Sequence, residues 1–262
     1  MRPLKFLLIS LLVSFFSGAY AQIGQSVVDI PTRAGVTQRI LLLTPDNPKA
    51  AVVLFAGGHG GLQIFSNGTF KWGGGNFLVR TRQLYADAGF VVAVVDAPSD
   101  RQSHPFLQGF RQKPEHVADI RSVIVWLREK TKVPVWLIGT SRGTQSVAYV
   151  ATALVGKEGP DGIVLTSTIL KDEKSRPVAA LPLEEIHIPV LVENHQQDEC
   201  AHCPFALTPE LMGKLGSNPR VQLLAFQGGE TTGDPCEAMA FHGYNGLERE
   251  VVSQIADWIL AK

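Results

Sequence analysis

Val133-Pro134-Val135-Trp136-Leu137-Ile138-Gly139-Thr140-Ser141-Arg142-Gly143 is the stretch that decides how this chain is built. Its first part, Val133-Ile138, is an apolar run without the alternation of a half-exposed strand, so it reads as a strand buried on both faces. Helical spacing begins at once, over Arg142-Val155. The two glycines around Ser141 thus bound a tight strand-to-helix turn, Gly-x-Ser-x-Gly in the context that gives the pattern its meaning. The central residue of such a turn is held in a strained backbone conformation, and the flanking glycines remove side chains that would collide. Ser141 is pushed out beyond the sheet edge as a candidate nucleophile. The free N–H groups at the start of the new helix, that of Arg142 among them, face the place where an oxyanion would develop.

Working outward, similar buried strands are predicted at Ala51-Ala56, Phe90-Val95, Gly162-Thr166, Ile188-Val192 and Val221-Phe226. Helical spacing separates them at Asn76-Ala88, Pro114-Lys130, Thr208-Leu215 and Leu247-Leu260. Pro114 falls where a first-turn proline is tolerated, and Val251, Ile255, Trp258 and Ile259 form one apolar stripe on the last helix. Two earlier runs, Ser26-Ile30 and Gln38-Leu43, precede any helical pattern and read as an antiparallel hairpin. The alternation predicts one α/β domain over residues 22–262, with a mostly parallel central sheet, an antiparallel N-terminal hairpin and helices on both faces.

Composition agrees with an ordinary globular chain. Of 262 residues, 45% are apolar and 18% charged, which excludes disordered, collagen-like and coiled-coil classes. Lys plus Arg and Asp plus Glu both number 24, so no bulk field exists to hold nucleic acid. At the N-terminus, Arg2 and Lys5 precede an apolar run from Phe6 to Phe16, and Ala19-Tyr20-Ala21 has the small-x-small pattern of a cleavage site. The run falls short of the roughly 20 residues that cross a bilayer. A signal peptide over residues 1–21 is expected, with a periplasmic or secreted product beginning at Gln22 and no integral membrane segment after cleavage.

A serine so placed needs a base and an acid, in the chain order Ser, Asp or Glu, His. The strand Ile188-Val192 opens into Glu193-Asn194-His195-Gln196-Gln197-Asp198-Glu199-Cys200, beyond a strand's C-terminal end where α/β sites gather. Asp198 is the expected acid; Glu193 is too close to the strand, and Glu199 is the substitute. His242 is the histidine between the last strand and the closing helix. It would take the Ser141 proton while Asp198 fixes its tautomer. His104, His116 and His187 fall elsewhere and read as surface or structural residues. A second oxyanion donor is expected from Ala56-Gly57-Gly58-His59-Gly60-Gly61: Gly58, His59 or Gly60, with His59 and Gly60 favoured.

With these residues in view, the mature chain resembles the α/β-hydrolase superfamily, in particular its small exported bacterial members of the esterase and dienelactone-hydrolase type. The resemblance rests on Gly57-Gly58-His59-Gly60-Gly61, on Gly139-Thr140-Ser141-Arg142-Gly143, on the strand-loop leading to Asp198, and on His242. It departs from the family pattern in the interrupted oxyanion glycines and in a cysteine cluster around the acid. What it implies is a carboxylesterase acting on a small or accessible ester through an acyl-enzyme on Ser141. Alternatives are a peptidase or amidase on the same triad, a non-catalytic binding protein on the same fold, and a zinc-dependent hydrolase. The expected partner is a small-molecule ester, and no cofactor is expected; the oligomeric state is not encoded.

Cys200 lies two residues past Asp198 and Cys236 six before His242, so a Cys200–Cys236 bond would hold acid and base in register; Cys203 with Cys236 is the alternative. His195, Cys200, His202, Cys203 and Cys236 could also donate to zinc, but they lack a second paired motif. Cys200-Ala201-His202-Cys203 is C-x-x-C without a thioredoxin-like context. The loop Leu62-Gly75 offers Phe65, Phe70 and Trp72 as a pocket wall or as packing, and contains the sequon Asn67-Gly68-Thr69. The loop Pro98-Lys113 carries Arg101, His104, Phe106 and Arg111, where an arginine could meet a substrate carboxylate. The span from Thr166 to Ile188 leaves no room for a large lid.

Overall fold

The structure, a computed structural model, describes residues 23–216 and 218–261. The expected signal peptide lies outside these residues. Strands β1 (Gly24–Pro31) and β2 (Thr37–Thr44) form an antiparallel hairpin. They are followed by β3 (Ala50–Phe55), β4 (Phe90–Pro98), β5 (Val135–Thr140), β6 (Gly162–Thr166), β7 (Val190–His195) and β8 (Val221–Phe226). The eight strands form one sheet in the order β1-β2-β4-β3-β5-β6-β7-β8. β2 also pairs antiparallel with β4, and every pairing from β4 to β8 is parallel.

The continuous apolar runs are explained by two cores. Ala51, Val53 and Phe55 face one, with α3 (Pro114–Thr131), α4 (Gly143–Ala153) and α5 (Thr208–Lys214) packed over them. The alternate residues Ala50, Val52 and Leu54 face the other, under α1 (Phe77–Arg80), α2 (Arg82–Asp87) and α6 (Glu248–Leu260). Each strand must therefore be apolar at both phases of its period-two repeat. Each fully buried aliphatic side chain contributes about 1.5–3 kcal/mol. The stripe expected on the last helix is present: Val251, Ile255 and Ile259 are buried, while Trp258 packs edge-on to Trp136 with ring centroids 5.7 Å apart.

Several boundaries shift from the sequence reading, as where β4 runs on to Pro98 rather than Val95 and β5 covers Val135–Thr140 rather than Val133-Ile138, and two differences have a visible physical cause. The single helix expected over Asn76-Ala88 is broken at Thr81 into α1 and α2. There the Thr81 hydroxyl joins the Thr81 amide on Phe77 O, at 2.6 and 3.0 Å, Leu84 N turns to the i−3 carbonyl of Thr81 at 2.8 Å, and Arg82 Nη1 donates to Val79 O at 2.6 Å. β7 runs on to His195 although Glu193, Asn194 and His195 are polar, and all three are buried. Asn194 is fully engaged, accepting from Thr168 N and donating to Thr208 Oγ1, and His195 stacks on Phe241 with centroids 4.9 Å apart. Between β6 and β7 the chain makes only two single-turn 3-10 helices, Val178–Ala180 and Leu183–Glu185, so no lid layer rises over the strands' C-terminal ends.

Candidate active site

The turn after β5 is built from backbone contacts too close for side chains. A Cβ on Gly139 would lie 2.6 Å from the carbonyl carbon and oxygen of Gly143, and one on Gly143 would overlap Phe55 O. Helix α4 thus begins directly over β3 and β5, with Ser141 at φ 52°, in the left-handed region that a serine seldom adopts. The conformation is over-determined: Ser141 N donates to Thr166 O at 3.0 Å, and Thr144 donates to Ser141 O from both its amide (2.9 Å) and its hydroxyl (2.6 Å). Arg142 is the residue before α4, where helical N–H groups have no intrahelical acceptor.

Asp198 and His242 meet across two loops. His242 Nδ1 lies 2.8 Å from Asp198 Oδ2, with both side chains buried. The other Asp198 oxygen accepts from Cys200 N at 2.9 Å, which fixes the carboxylate plane. His242 Nε2 is buried and has no hydrogen-bond partner. His242 lines a cleft of about 270 Å³ whose wall also includes Ser141. A histidine with one nitrogen tied to a carboxylate and the other without a partner, lining the same cleft as an elbow serine, has the arrangement of a proton acceptor.

Residues that the sequence reading did not single out hold this arrangement. The Ser167 hydroxyl donates to His242 O at 2.7 Å. Tyr244 OH donates to Glu193 O at 2.6 Å and accepts from Ser167 N at 3.1 Å, so one buried phenol ties the ends of β6 and β7 to the histidine loop. Gly243 is required because a Cβ there would overlap Ala238 O. Nothing in the local sequence marks Ser167 or Tyr244, since their partners are backbone atoms distant along the chain. Asn76 is also on the cleft wall, with Nδ2 3.5 Å from the point a Gly57 Cβ would occupy; the run Gly73-Gly74-Gly75 before it was the available signal of a close approach.

Cys200 and Cys236 are disulfide-bonded, across a sequence separation of 36, and Cys203 is a buried free thiol. The bond joins the loop of Asp198 to that of His242. Cys200 Sγ, Cys203 Sγ and a His242 ring nitrogen lie within 4.8 Å of one another. The disulfide removes the Cys200 thiolate from any such donor set, and burial pushes the Cys203 thiol well above its ordinary pKa, so the cluster is poorly suited to zinc.

The glycine loop after β3 is placed differently from expectation. Gly57 and Gly58 line the cleft with Ser141; His59 and Gly60, the favoured donors, do not. A Gly57 Cβ would sit 2.9 Å from Ser141 Cβ, and a Gly58 Cβ 2.7 Å from the Trp72 ring. His59 is instead stacked between Trp72 and Phe106, at 3.9 and 4.5 Å between centroids, with Nδ1 accepting from Gly61 N. Burial and the nearby Arg111 lower its pKa. Glu199, the substitute acid, is exposed, and His104 and His187 are also exposed; His116 is buried between Phe55 and Phe110, where burial brings its pKa down to about 3. Glu193 is fully buried in β7 and burial raises its carboxyl well above the usual range.

No protein-family model matches the sequence, and no curated protein matches it. Among solved structures, the chain is similar to a dienelactone hydrolase from Anabaena variabilis, at 14% identity over 91% of this chain and 98% of that one, with a TM-score of 0.63. It is similar to an esterase from Pyrococcus furiosus at 14% identity, covering 90% and 92% of the two chains, TM-score 0.64. An α/β serine hydrolase homologue from Coxiella burnetii matches at 16% identity, covering 91% and 97%, TM-score 0.60. With the strand order above, these likenesses give the chain the α/β-hydrolase fold.

Proposed function

We propose that this chain is a serine hydrolase that cleaves a small carboxylic ester through an acyl-enzyme on Ser141. What carries the reading is one observation: His242, with Nδ1 bonded to the buried Asp198 and Nε2 without a partner, lines the same cleft as Ser141, which stands on an elbow at φ 52°. In the proposed cycle Ser141 Oγ attacks the ester carbonyl while Nε2 takes its proton, and Asp198 stabilises the resulting imidazolium. The tetrahedral oxyanion accepts from Arg142 N–H and, because Gly58 lines the cleft, from Gly58 N–H. His242 then protonates the leaving alcohol, and water, deprotonated by the same nitrogen, releases the acid and restores the serine.

The size of the cleft, about 270 Å³, with Trp72 and Phe77 as its apolar side, favours short acyl or alkyl groups. Export after cleavage at Ala21 belongs to the same reading. The disulfide suits an oxidising compartment, and no helix among the described residues is long and apolar enough to cross a membrane. The test is a panel of chromogenic short-chain esters with the wild type, Ser141→Ala and His242→Ala. The wild type is expected to turn over the shortest esters best, with kcat falling by about 10⁴ to 10⁶ in either variant. Esterase activity that survives Ser141→Ala would overturn the assignment.

A further inference from the structure

A second cavity, of about 420 Å³, has Arg142 in its wall but neither Ser141 nor His242. Its wall carries Arg111, Lys113, Arg142, Lys174 and Arg176, and no acidic side chain. Arg142 is neutralised by Asp172 at 2.7 Å. Among the described residues the other four form no ion pair, so positive charge converges on the cavity without internal compensation. A concave surface lined by one sign of charge between low-dielectric walls focuses its field on whatever enters.

Arg111 is the informative member. It is 5% exposed, and its guanidinium donates to Ser146 Oγ (3.0 Å), Ala56 O (2.9 Å) and Gly58 O (3.3 Å), while Nε is buried without a partner. These acceptors are neutral. Burying a cation without an anion is costly, and carbonyl dipoles offset only part of the loss. Burial, with the like charge of Arg142 nearby, lowers its pKa to about 9, the direction expected of a buried cation without a counter-anion. A guanidinium kept at this position for packing alone would be replaceable by an uncharged side chain at a gain in stability. Its exposed neighbours Lys113, Lys174 and Arg176 supply further donors at the same opening.

We propose that this cavity is a binding site for a multiply charged oxyanion, a phosphate or a polycarboxylate, separate from the cleft of Ser141. Four unpaired cations exceed what one monovalent carboxylate would neutralise, and the volume admits a ligand of several heavy atoms. The anion would sit beside the wall of the reaction cleft, because Arg111 holds the carbonyl of Gly58, which lines that cleft, and Arg142 directly follows Ser141. The site stands on its own charges and does not require that Ser141 turn over an ester.

The test is isothermal titration of the full mature chain with inorganic phosphate, with tricarballylate and with acetate, at ionic strength held constant with chloride. Wild type is expected to bind phosphate or tricarballylate, whichever is the better fit, and to bind acetate at least about tenfold more weakly. Lys174→Ala/Arg176→Ala removes two exposed cations, and with them the stacking of Arg176 on Tyr149, and should weaken binding by about tenfold or more, the equivalent of a lost charged hydrogen bond. Circular dichroism of this variant checks that it is folded. If neither polyanion binds above the acetate control, or if binding is unchanged in the folded double variant, the proposal is wrong.

Discussion

Replacing Glu193 with glutamine should flatten the dependence of stability on pH and raise stability at neutral pH. The side chain lies on β7 with no exposure, and neither carboxylate oxygen has a hydrogen-bond partner. An ionised carboxylate there would be uncompensated, so burial holds the acid neutral to well above its ordinary value of 4.5. In the unfolded chain the same group ionises near that ordinary value. Between the two, the folded state binds about one proton more than the unfolded state, and stability falls as pH rises by about 1.4 kcal/mol per unit. Below the ordinary value both states are protonated and the contribution to the slope vanishes. Glu193→Gln keeps the shape and cannot ionise. Urea unfolding of both proteins from pH 4 to pH 8, followed by circular dichroism, should give stabilities that are similar at pH 4 and diverge upward for the variant. Parallel curves across that range would refute the reasoning, because they would mean that Glu193 ionises alike in the two states.

Asp172 gives the opposite sign. Burial alone would raise its pKa, but hydrogen bonds from Ser175, the Lys174 amide and Gln145, with the charge of Arg142, hold it at about 2. It contributes about 2 kcal/mol above its ordinary value of 3.8, lost as pH falls through about 2, so Asp172→Asn should destabilise at pH 7 and lose that effect in strong acid, read by the same unfolding assay. Gly143→Ala would drive a Cβ into Phe55 O, backbone against backbone, and soluble folded protein should fall sharply in expression and circular dichroism, in contrast to Gly213→Ala, where the space is open. Removing the disulfide as Cys200→Ala/Cys236→Ala should lower stability by about 4 kcal/mol on the chain-entropy estimate for its loop, and should reduce kcat more than it raises KM, since it holds the loops of Asp198 and His242 together. Unfolding midpoints and steady-state kinetics on the best ester would read these two effects separately.

Much of the fold was legible because the parallel strands are buried on both faces, which writes them as unbroken apolar runs, and because the elbow glycines mark contacts in which no Cβ fits. Spacing favoured the Cys200–Cys236 bond, since each cysteine lies a few residues from a loop that must meet the other, but it left Cys203 with Cys236 open because Cys203 is close to the same loop. Less legible were features set by partners remote in sequence. β7 continues through Glu193, Asn194 and His195 because tertiary neighbours satisfy or stack on Asn194 and His195, and no local pattern announces that. The break at Thr81 lies where Leu84 N turns to the i−3 carbonyl of Thr81 while the Thr81 and Arg82 side chains bond carbonyls of the preceding turn. In the loop after β3, glycine spacing indicated close approach but not its object: Gly57 and Gly58 face Ser141 and Trp72, whereas Gly60 and Gly61 make room for Arg111 and Phe106. Ser167 and Tyr244 position His242 through backbone atoms, and Asn76 reaches the cleft from a helix start, so their places required the folded chain.

The most direct test of the central claim is the intact mass of the protein expressed from Gln22 onward, and of its Ser141→Ala variant, after incubation with a fluorophosphonate. A single adduct on the wild type, mapped by peptide digestion to Ser141 and absent from the variant, is the predicted result. An unlabelled wild type, or an adduct that persists in Ser141→Ala, would contradict the claim that His242 and Asp198 activate this serine.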